Sequence, residues 1–233
     1  HLRFAYPQAE EIIHDLSFAA HAGEIIGITG PVACGKSTLG KVFLCEYPYE
    51  GSIRIDDVGL AGMEPSKRAA IVGYLGHDPE LMNDTLENNI LMGDVGDAGE
   101  YLRQVCLKEE ADAMEDGLQT KIGSSGVRLS GGQAQRLSLA RTLCHKRPLL
   151  ILDDPFSALD RKTEQEIFKN LQKETENGIV LLISHRLYLF PKLSKVIWME
   201  QGNTVVAPHE ELLKVVQEYR SLFEDQEGAK DEV

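Results

Sequence analysis

The stretch L-L-I-L-D-D ends an apolar run with two adjacent carboxylates, Asp153 and Asp154. Neighbouring like charges repel each other and are costly to desolvate, so the pair indicates that a cation binds beside it. A second stretch, G-P-V-A-C-G-K-S-T over residues 30–38, fits the pattern G-x-x-x-x-G-K-[ST]. In this pattern the backbone N–H groups of a glycine-rich loop and the positive end of the following helix bind phosphate. Together the two stretches predict a site for a phosphate ligand and Mg²⁺.

The phosphate pattern also assigns roles to individual side chains. Lys36 would reach the β- and γ-phosphates, and the Ser37 hydroxyl would bind Mg²⁺. Asp153 would face the same Mg²⁺ from the end of its strand, usually through water. The residues expected to contact the phosphates are Gly30, Pro31, Val32, Ala33, Cys34, Gly35, Lys36, Ser37 and Thr38.

Strands and helices must place these residues together. The spacing predicts a strand over 23–30, a helix from Lys36 to about Glu46, buried strands over 148–153 and 179–184, and a helix over about 161–176. Alternating strands and helices are typical of a parallel sheet in an α/β fold. Further expected elements are antiparallel strands within 1–6, 12–18 and 51–57, an edge strand near 195–200, and a C-terminal helix over about 209–223.

Residues 79–145 differ in their hydrophobic pattern, because their apolar positions recur at helical spacing. This pattern predicts a helical insertion. The chain of 233 residues suits one domain. Within it we expect a core with a β subdomain over 1–76 and 146–233, and a helical subdomain over 77–145.

Composition narrows the possible classes of protein. The net charge of −13 argues against a nucleic-acid binder that relies on neutralising phosphates. Cys34, Cys45, Cys106 and Cys144 form no CxxC pair or zinc spacing, which favours a reduced, cytosolic setting. No apolar stretch approaches the roughly 18 residues that a membrane-spanning helix needs.

A third motif, L-S-G-G-Q over residues 129–133, lies before the acidic pair. Ser130 and the two glycines open a predicted helix, which gives a second N-terminus able to bind an anion. Combined with the phosphate loop and the run L-L-I-L-D-D-P-F-S-A-L-D, this motif resembles the nucleotide-binding domain of ABC (ATP-binding cassette) transporters along essentially the whole chain.

The resemblance implies a P-loop NTPase (RecA-like) α/β core, an N-terminal antiparallel β subdomain and an inserted α-helical subdomain. It implies ATPase activity with ATP and Mg²⁺, and a second nucleotide-binding domain packed head to tail, identical or different. The signature residues would cap the γ-phosphate of ATP held by that second domain. They are Leu129, Ser130, Gly131, Gly132 and Gln133.

Other positions match the family one by one. Tyr6 matches an aromatic that stacks on adenine, and His185 matches the switch histidine that contacts the γ-phosphate. Asp160 matches the aspartate of the loop that communicates across the dimer, and it can cap the following helix as well. Asp154 occupies the general-base position.

The type of cassette is indicated by the segments around the signature. The span from Lys36 to Ser130 is short and has no heptad run, unlike that of chromosome-organising and DNA-repair ABC ATPases. L-M-N-D-T-L-E-N-N-I and D-G-L-Q-T-K-I-G-S-S-G resemble exporter segments. We therefore expect a membrane domain before His1 in a longer chain, and a location on the cytoplasmic face of a membrane.

Three residues depart from the family pattern. His77 replaces a glutamine that binds Mg²⁺ and contacts the attacking water, Ser124 replaces a glutamate that faces the membrane domain, and Asp154 replaces the base glutamate. Aspartate is shorter by one methylene, about 1.5 Å. A base must come within roughly 2.6–3.2 Å of its proton, and misplacement on this scale can cost about 100-fold in rate.

We therefore expect ATP to bind well and to be hydrolysed slowly, as in the weak-site half of an asymmetric exporter. Two alternatives stay open. One is a mainly regulatory ATP-binding cassette with little hydrolysis, and the other is a soluble ABC ATPase that acts on ribosomes or nucleic acid.

Overall fold

The computed structural model describes residues 1–123, 126–200 and 202–228. In these ranges the strands are Leu2–Ala5 (β1), Glu11–Leu16 (β2), Ile25–Thr29 (β3), Arg54–Ile55 (β4), Val58–Gly59 (β5), Val72–Leu75 (β6), Leu149–Asp153 (β7), Ile179–Ile183 (β8), Lys195–Glu200 (β9) and Asn203–Ala207 (β10). The α-helices are Lys36–Val42 (α1), Pro65–Ala69 (α2), Leu86–Leu91 (α3), Ala98–Gln104 (α4), Lys108–Asp112 (α5), Gly131–Cys144 (α6), Arg161–Glu174 (α7), His209–Val215 (α8) and Gln217–Gly228 (α9). Short 3₁₀ helices cover Gly117–Gln119 and Leu187–Lys192.

The main sheet has the strand order β10-β9-β3-β8-β7-β6. Its strands β9, β3, β8, β7 and β6 run parallel, and β10 joins antiparallel. Every residue of β3 and of β7 is buried, because helices cover both faces of a parallel sheet. The predicted α/β fold class is confirmed.

The N-terminal strands form a separate antiparallel pair, β1 with β2, as the sequence predicts. The strand predicted over 51–57 is wrong in extent, since β4 has two residues and pairs with β5. Asp56 and Asp57 both have positive φ, so the chain turns where the strand was expected to continue.

Three further predictions of strands and helices are corrected by the structure. The strand β9 is not an edge strand, because β10 pairs along its outer side. The helix expected over 209–223 is two helices, because Val216 has an extended backbone with φ −118° and ψ 106°. The helix after the phosphate loop ends at Val42 rather than near Glu46.

Helices α3 to α6 lie in the chain between β6 and β7, and α6 packs against α3 and α4. Their apolar side chains, such as Leu86, Ile90, Leu102 and Leu137, are fully buried. Among the helices in the described ranges, none is long and apolar enough to cross a membrane.

Candidate functional site

The glycine-rich loop of residues 30–35 connects β3 to α1, and its shape depends on two glycines. Gly30 and Gly35 have φ of 153° and 100°, a region that residues with a Cβ rarely adopt. A Cβ on Gly30 would overlap the carbonyl oxygen of Met199, and a Cβ on Gly35 would overlap the side chain of Ile12. The loop can therefore keep this conformation only with glycine at both positions.

Lys36, the first residue of α1, directs its ammonium group into this loop. Its Nζ donates to the carbonyl oxygens of Gly30 at 3.0 Å and Pro31 at 2.6 Å, and it lies 3.7 Å from Cys34 Sγ. The side chain is only 6% exposed. A buried cation inside a loop of backbone N–H groups is suited to bind the phosphates of a nucleotide.

The two carboxylates follow β7 and have different surroundings. Asp153 is 4% exposed, and its Oδ2 accepts a hydrogen bond from the Tyr74 hydroxyl at 2.9 Å. Burial, and next the Asp153 carboxylate, raise the pKa of Tyr74, so the tyrosine is a protonated donor at neutral pH. Asp154 has a φ of 50°, which aspartate tolerates better than most residues, and its N–H donates to Ile183 O at 2.9 Å.

The topology brings the phosphate loop and the carboxylates to one edge. In the sheet β8 separates β3 from β7, and the carboxyl ends of these parallel strands share an edge, where ligands bind in such folds. Ser37, in the first turn of α1, offers an exposed hydroxyl at the same edge as the Asp153 carboxylate. Hydroxyl and carboxylate oxygens are the donors that Mg²⁺ prefers, so the donor set fits this ion.

The Asp154 carboxylate lies beside two histidines. Oδ2 of Asp154 is 3.8 Å from His77 Nδ1, so two of the residues that depart from the family pattern contact each other. Burial is the main cause that raises the pKa of Asp154, with Asp153 acting in the same direction, while His185 and His77 oppose the shift.

His185 follows β8 at the same edge. Partial desolvation and then the positive charge of Lys36 lower the pKa of His185, which favours a neutral imidazole at pH 7. The C-terminal helix α9 holds the backbone of His185 in place, because Gln226 Nε2 donates a hydrogen bond to His185 O at 2.7 Å. A neutral ring held in this way can donate one hydrogen bond to a phosphate oxygen.

The start of α6 carries the signature residues. Ser130 is the N-cap, where its Oγ accepts from Gln133 N at 3.2 Å and its N–H donates to Gln133 Oε1 at 2.9 Å. The amide of Gln133 also donates to Glu110, so this side chain shapes the helix start. Ser130 and Gly131 are exposed, which leaves the helix N-terminus open to a ligand or partner.

Sequence reasoning missed two side chains that hold the segment following Asp154. Gln135 Nε2 donates to Asp154 O at 3.1 Å and to Ser157 Oγ at 2.8 Å. Arg186 donates to the carbonyl oxygens of Ser157 at 3.0 Å and Leu159 at 2.8 Å. The position of Arg186 directly after His185 was the one available signal, whereas contacts between distant residues leave no local pattern.

The remaining predicted residues are Tyr6, Asp160 and Ser124. Tyr6 is half-buried and packs edge to face on Phe4 and Tyr47, with centroids 4.9 Å and 5.3 Å away. Asp160 caps α7, with Oδ1 accepting from the backbone N–H groups of Lys162 and Thr163. Ser124 lies outside the described residues.

Comparisons with known proteins agree with these features. The profile of the ABC transporter family matches residues 13–157. An uncharacterized ABC transporter ATP-binding protein, YwjA of Bacillus subtilis (strain 168), is 35% identical over 234 residues, which are 98% of this chain and 41% of that protein. An ATP-dependent lipid A-core flippase of Pseudomonas savastanoi pv. phaseolicola is 36% identical over 220 residues, covering 91% of this chain and 37% of the flippase.

A solved structure extends the similarity to three dimensions. A bacterial Atm1-family ABC exporter with ATP bound superimposes with a TM-score of 0.89 at 31% identity, over 97% of this chain and 41% of that one. The chain thus spans about two fifths of the length of these relatives.

Proposed function

Because this chain belongs to the ABC transporter family, whose ATP-binding domains are ATPases, we propose that it is the ATP-hydrolysing motor domain of an exporter. The observation that carries the proposal is the meeting of Lys36, Asp153, Asp154 and His185 at one sheet edge. The relatives named above include a flippase and an exporter, and these names support export as the direction of transport.

In the mechanism we propose, each residue has a separate task. The Lys36 ammonium and the loop N–H groups bind the phosphates and neutralise their charge. Ser37 and Asp153 would hold Mg²⁺, which supplies positive charge to the β- and γ-phosphates when bound. Asp154 accepts the proton of the attacking water, and His185 holds the terminal phosphate.

The proposal includes slow hydrolysis at this site. Asp154 is shorter than glutamate, and His77 lies 3.8 Å from its carboxylate and can keep it away from the water. The left-handed backbone of Asp154 also fixes the direction in which the short side chain leaves the strand. Phosphoryl transfer depends mainly on positioning, so these features are expected to slow turnover more than binding.

The proposal also includes two partners. The exposed N-terminus of α6 would cover ATP held by a second nucleotide-binding domain, identical or different, in a head-to-tail dimer. Several relatives are ATP-binding and permease proteins in one chain, which supports a transmembrane domain as the other partner and a place at the cytoplasmic face of a membrane.

The experiment is ATPase turnover of Asp154→Glu, His77→Gln and the double variant, each in the assembled transporter. Glutamate at 154 restores the missing reach, so we expect turnover to rise by up to about 100-fold, most in the double variant. Glu46→Asp, an exchange of the same size outside the acidic pair, is the control. Unchanged turnover in the double variant would contradict the slow-site proposal.

A mainly regulatory cassette is the second candidate, favoured by the contact between His77 and Asp154. In that case nucleotide would stabilise the dimer with little turnover at this site. The same series separates the two, because a regulatory cassette gives no gain in turnover from Asp154→Glu.

A further inference from the structure

Tyr74 contacts the metal-facing carboxylate but has no task in the mechanism above. It lies on β6, where its register partner on β7 is Ile151, two residues before Asp153. From there its hydroxyl donates to Asp153 Oδ2 at 2.9 Å. The carboxylate is therefore oriented by the neighbouring strand as well as by its own.

The ring of Tyr74 reaches Asp153 because α1 leaves room for it. A Cβ on Gly40 would lie 3.2 Å from Tyr74 Cε2 and 3.1 Å from Ile183 Cδ1, tighter than ordinary contacts. Glycine at position 40 thus lets the ring pass between the helix that carries Ser37 and the strand that carries Asp153. Tyr74 therefore bonds to Asp153 and lies beside α1, the helix that carries Ser37.

We propose that Tyr74 is a positioning residue for the Mg²⁺ site. Its hydroxyl holds the Asp153 carboxylate in the orientation in which it binds the ion. The inference rests on the proposed role of Asp153 toward Mg²⁺. With Oδ2 occupied by the hydroxyl, rotation of the carboxylate is restricted and Oδ1 is left for the ion or its water. Residues that hydrogen-bond a metal ligand without binding the metal themselves typically lower metal affinity about 10–100-fold when they are replaced.

A purely structural role for Tyr74 makes a different prediction. The hydroxyl would then serve to satisfy a buried carboxylate, and its loss would reduce stability. Nucleotide affinity would fall equally with and without Mg²⁺, so the dependence on Mg²⁺ separates the two roles.

The test is binding of a fluorescent ATP analogue to Tyr74→Phe, measured in EDTA and over a range of Mg²⁺ concentrations. Phenylalanine keeps the ring beside Gly40 and removes the hydroxyl. We expect affinity in EDTA within about twofold of the wild type, and a half-saturating Mg²⁺ concentration raised about tenfold. Tyr101→Phe, in α4 of the helical part, is the control and should match the wild type. A half-saturating concentration that is unchanged or lower in Tyr74→Phe would overturn the inference.

Gly40→Ala provides an independent variant, because its Cβ would lie 3.2 Å from the Tyr74 ring, which we expect to shift while the hydroxyl is retained. Its effect on the Mg²⁺ dependence should be smaller in the Tyr74→Phe background than in the wild type, and equal effects would count against the inference. Asp153→Asn tests the underlying function separately. If that variant keeps the wild-type Mg²⁺ dependence, the role of Asp153 fails, and the role of Tyr74 fails with it.

Discussion

Asp153 and Asp154 are adjacent in the chain, yet Asp153 ends a buried strand and Asp154 has a left-handed backbone with a φ of 50°. The change in backbone direction separates the two side chains. Asp153 accepts the Tyr74 hydroxyl, and Asp154 turns toward His77 and His185. The repulsion expected of the pair is thus relieved by different neighbours, and each carboxylate can have its own task.

At the residue scale, the sequence pointed to Lys36, Asp153, Asp154 and His185, which the structure brings to one edge of the sheet. The pattern of residues 30–38 located the loop, because glycines at 30 and 35 are required by its backbone. It could not reveal Tyr74, since a tyrosine in a short strand is an ordinary core residue until its hydroxyl partner is known. Nor could it reveal that His77 and Asp154 meet, because that contact depends on the loops after β6 and β7.

His209 leads to a prediction about pH. It is buried at the start of α8, with Nδ1 2.7 Å from the Tyr219 hydroxyl. Burial lowers the pKa of His209, although Glu210 opposes the shift. A folded pKa below the unfolded value of about 6.5 gives stability that is fully present above that value and is lost as pH falls through the folded pKa.

We therefore expect the Tm to fall between about pH 7.5 and pH 5.5, and to fall less in His209→Gln, which cannot titrate. Thermal unfolding followed by circular dichroism over this pH range measures the slope of Tm against pH for each protein. His21→Gln, at an exposed position, should keep the wild-type slope. Equal slopes for the wild type and His209→Gln would mean that His209 does not contribute.

At the element scale, the loop after β7 is held between a helix and the loop after β8. Gln135 of α6 bonds to Asp154 O and Ser157, and Arg186 bonds to the carbonyls of Ser157 and Leu159. Because Gln135 lies five residues after Ser130, we expect movement of α6 to shift the backbone of Asp154, the proposed base. In the proposed dimer this hydrogen bond would connect the two nucleotide sites.

Arg186 also pairs with Glu164 of α7, with Nη1 2.6 Å from Oε2. Glu164 is fully buried, so Arg186→Ala removes the charged partner of a buried carboxyl group. We expect a loss of about 3 kcal/mol in the free energy of unfolding, the low end for buried pairs, because Arg186 is partly exposed. Urea denaturation measures this loss.

The exposed pair Lys169 and Glu166 on the same helix is the matched control, and Lys169→Ala should cost less than about 1 kcal/mol. Replacing Glu164 by glutamine in the Arg186→Ala background should recover part of the loss. A cost for Arg186→Ala no greater than that of the control would show that the buried pair is not important for stability.

The long apolar elements were predictable, and the short polar ones were not. β3, β7 and β8 are continuous apolar runs that end in glycine or polar residues, which is the pattern of buried parallel strands. β6 reads V-G-Y-L and has only four residues, so its local signal is weak. β10 reads N-T-V-V-A, begins with two polar residues and was missed, and with it the interior position of β9.

At the scale of the whole molecule, the strand order determines the site. With β8 between β3 and β7, the glycine-rich loop, His185 and the two carboxylates follow strands that end at the same edge of the sheet. The alternation of strands and helices predicted such an edge, but strand order depends on contacts between distant segments. The signature helix α6 adds an exposed N-terminus, which in the proposed dimer faces a second copy or a related chain.

The central claim is that nucleotide binds between the loop around Lys36 and the acidic end of β7. Isothermal titration calorimetry of ATP binding to Lys36→Ala, in the presence of Mg²⁺, tests this claim directly. Lys41→Ala, on the exposed side of the same helix, is the control. A charge-assisted hydrogen bond contributes roughly 1.5–3 kcal/mol, so we predict an affinity about 10–100-fold weaker for Lys36→Ala and unchanged for Lys41→Ala. Full affinity in Lys36→Ala would contradict the account.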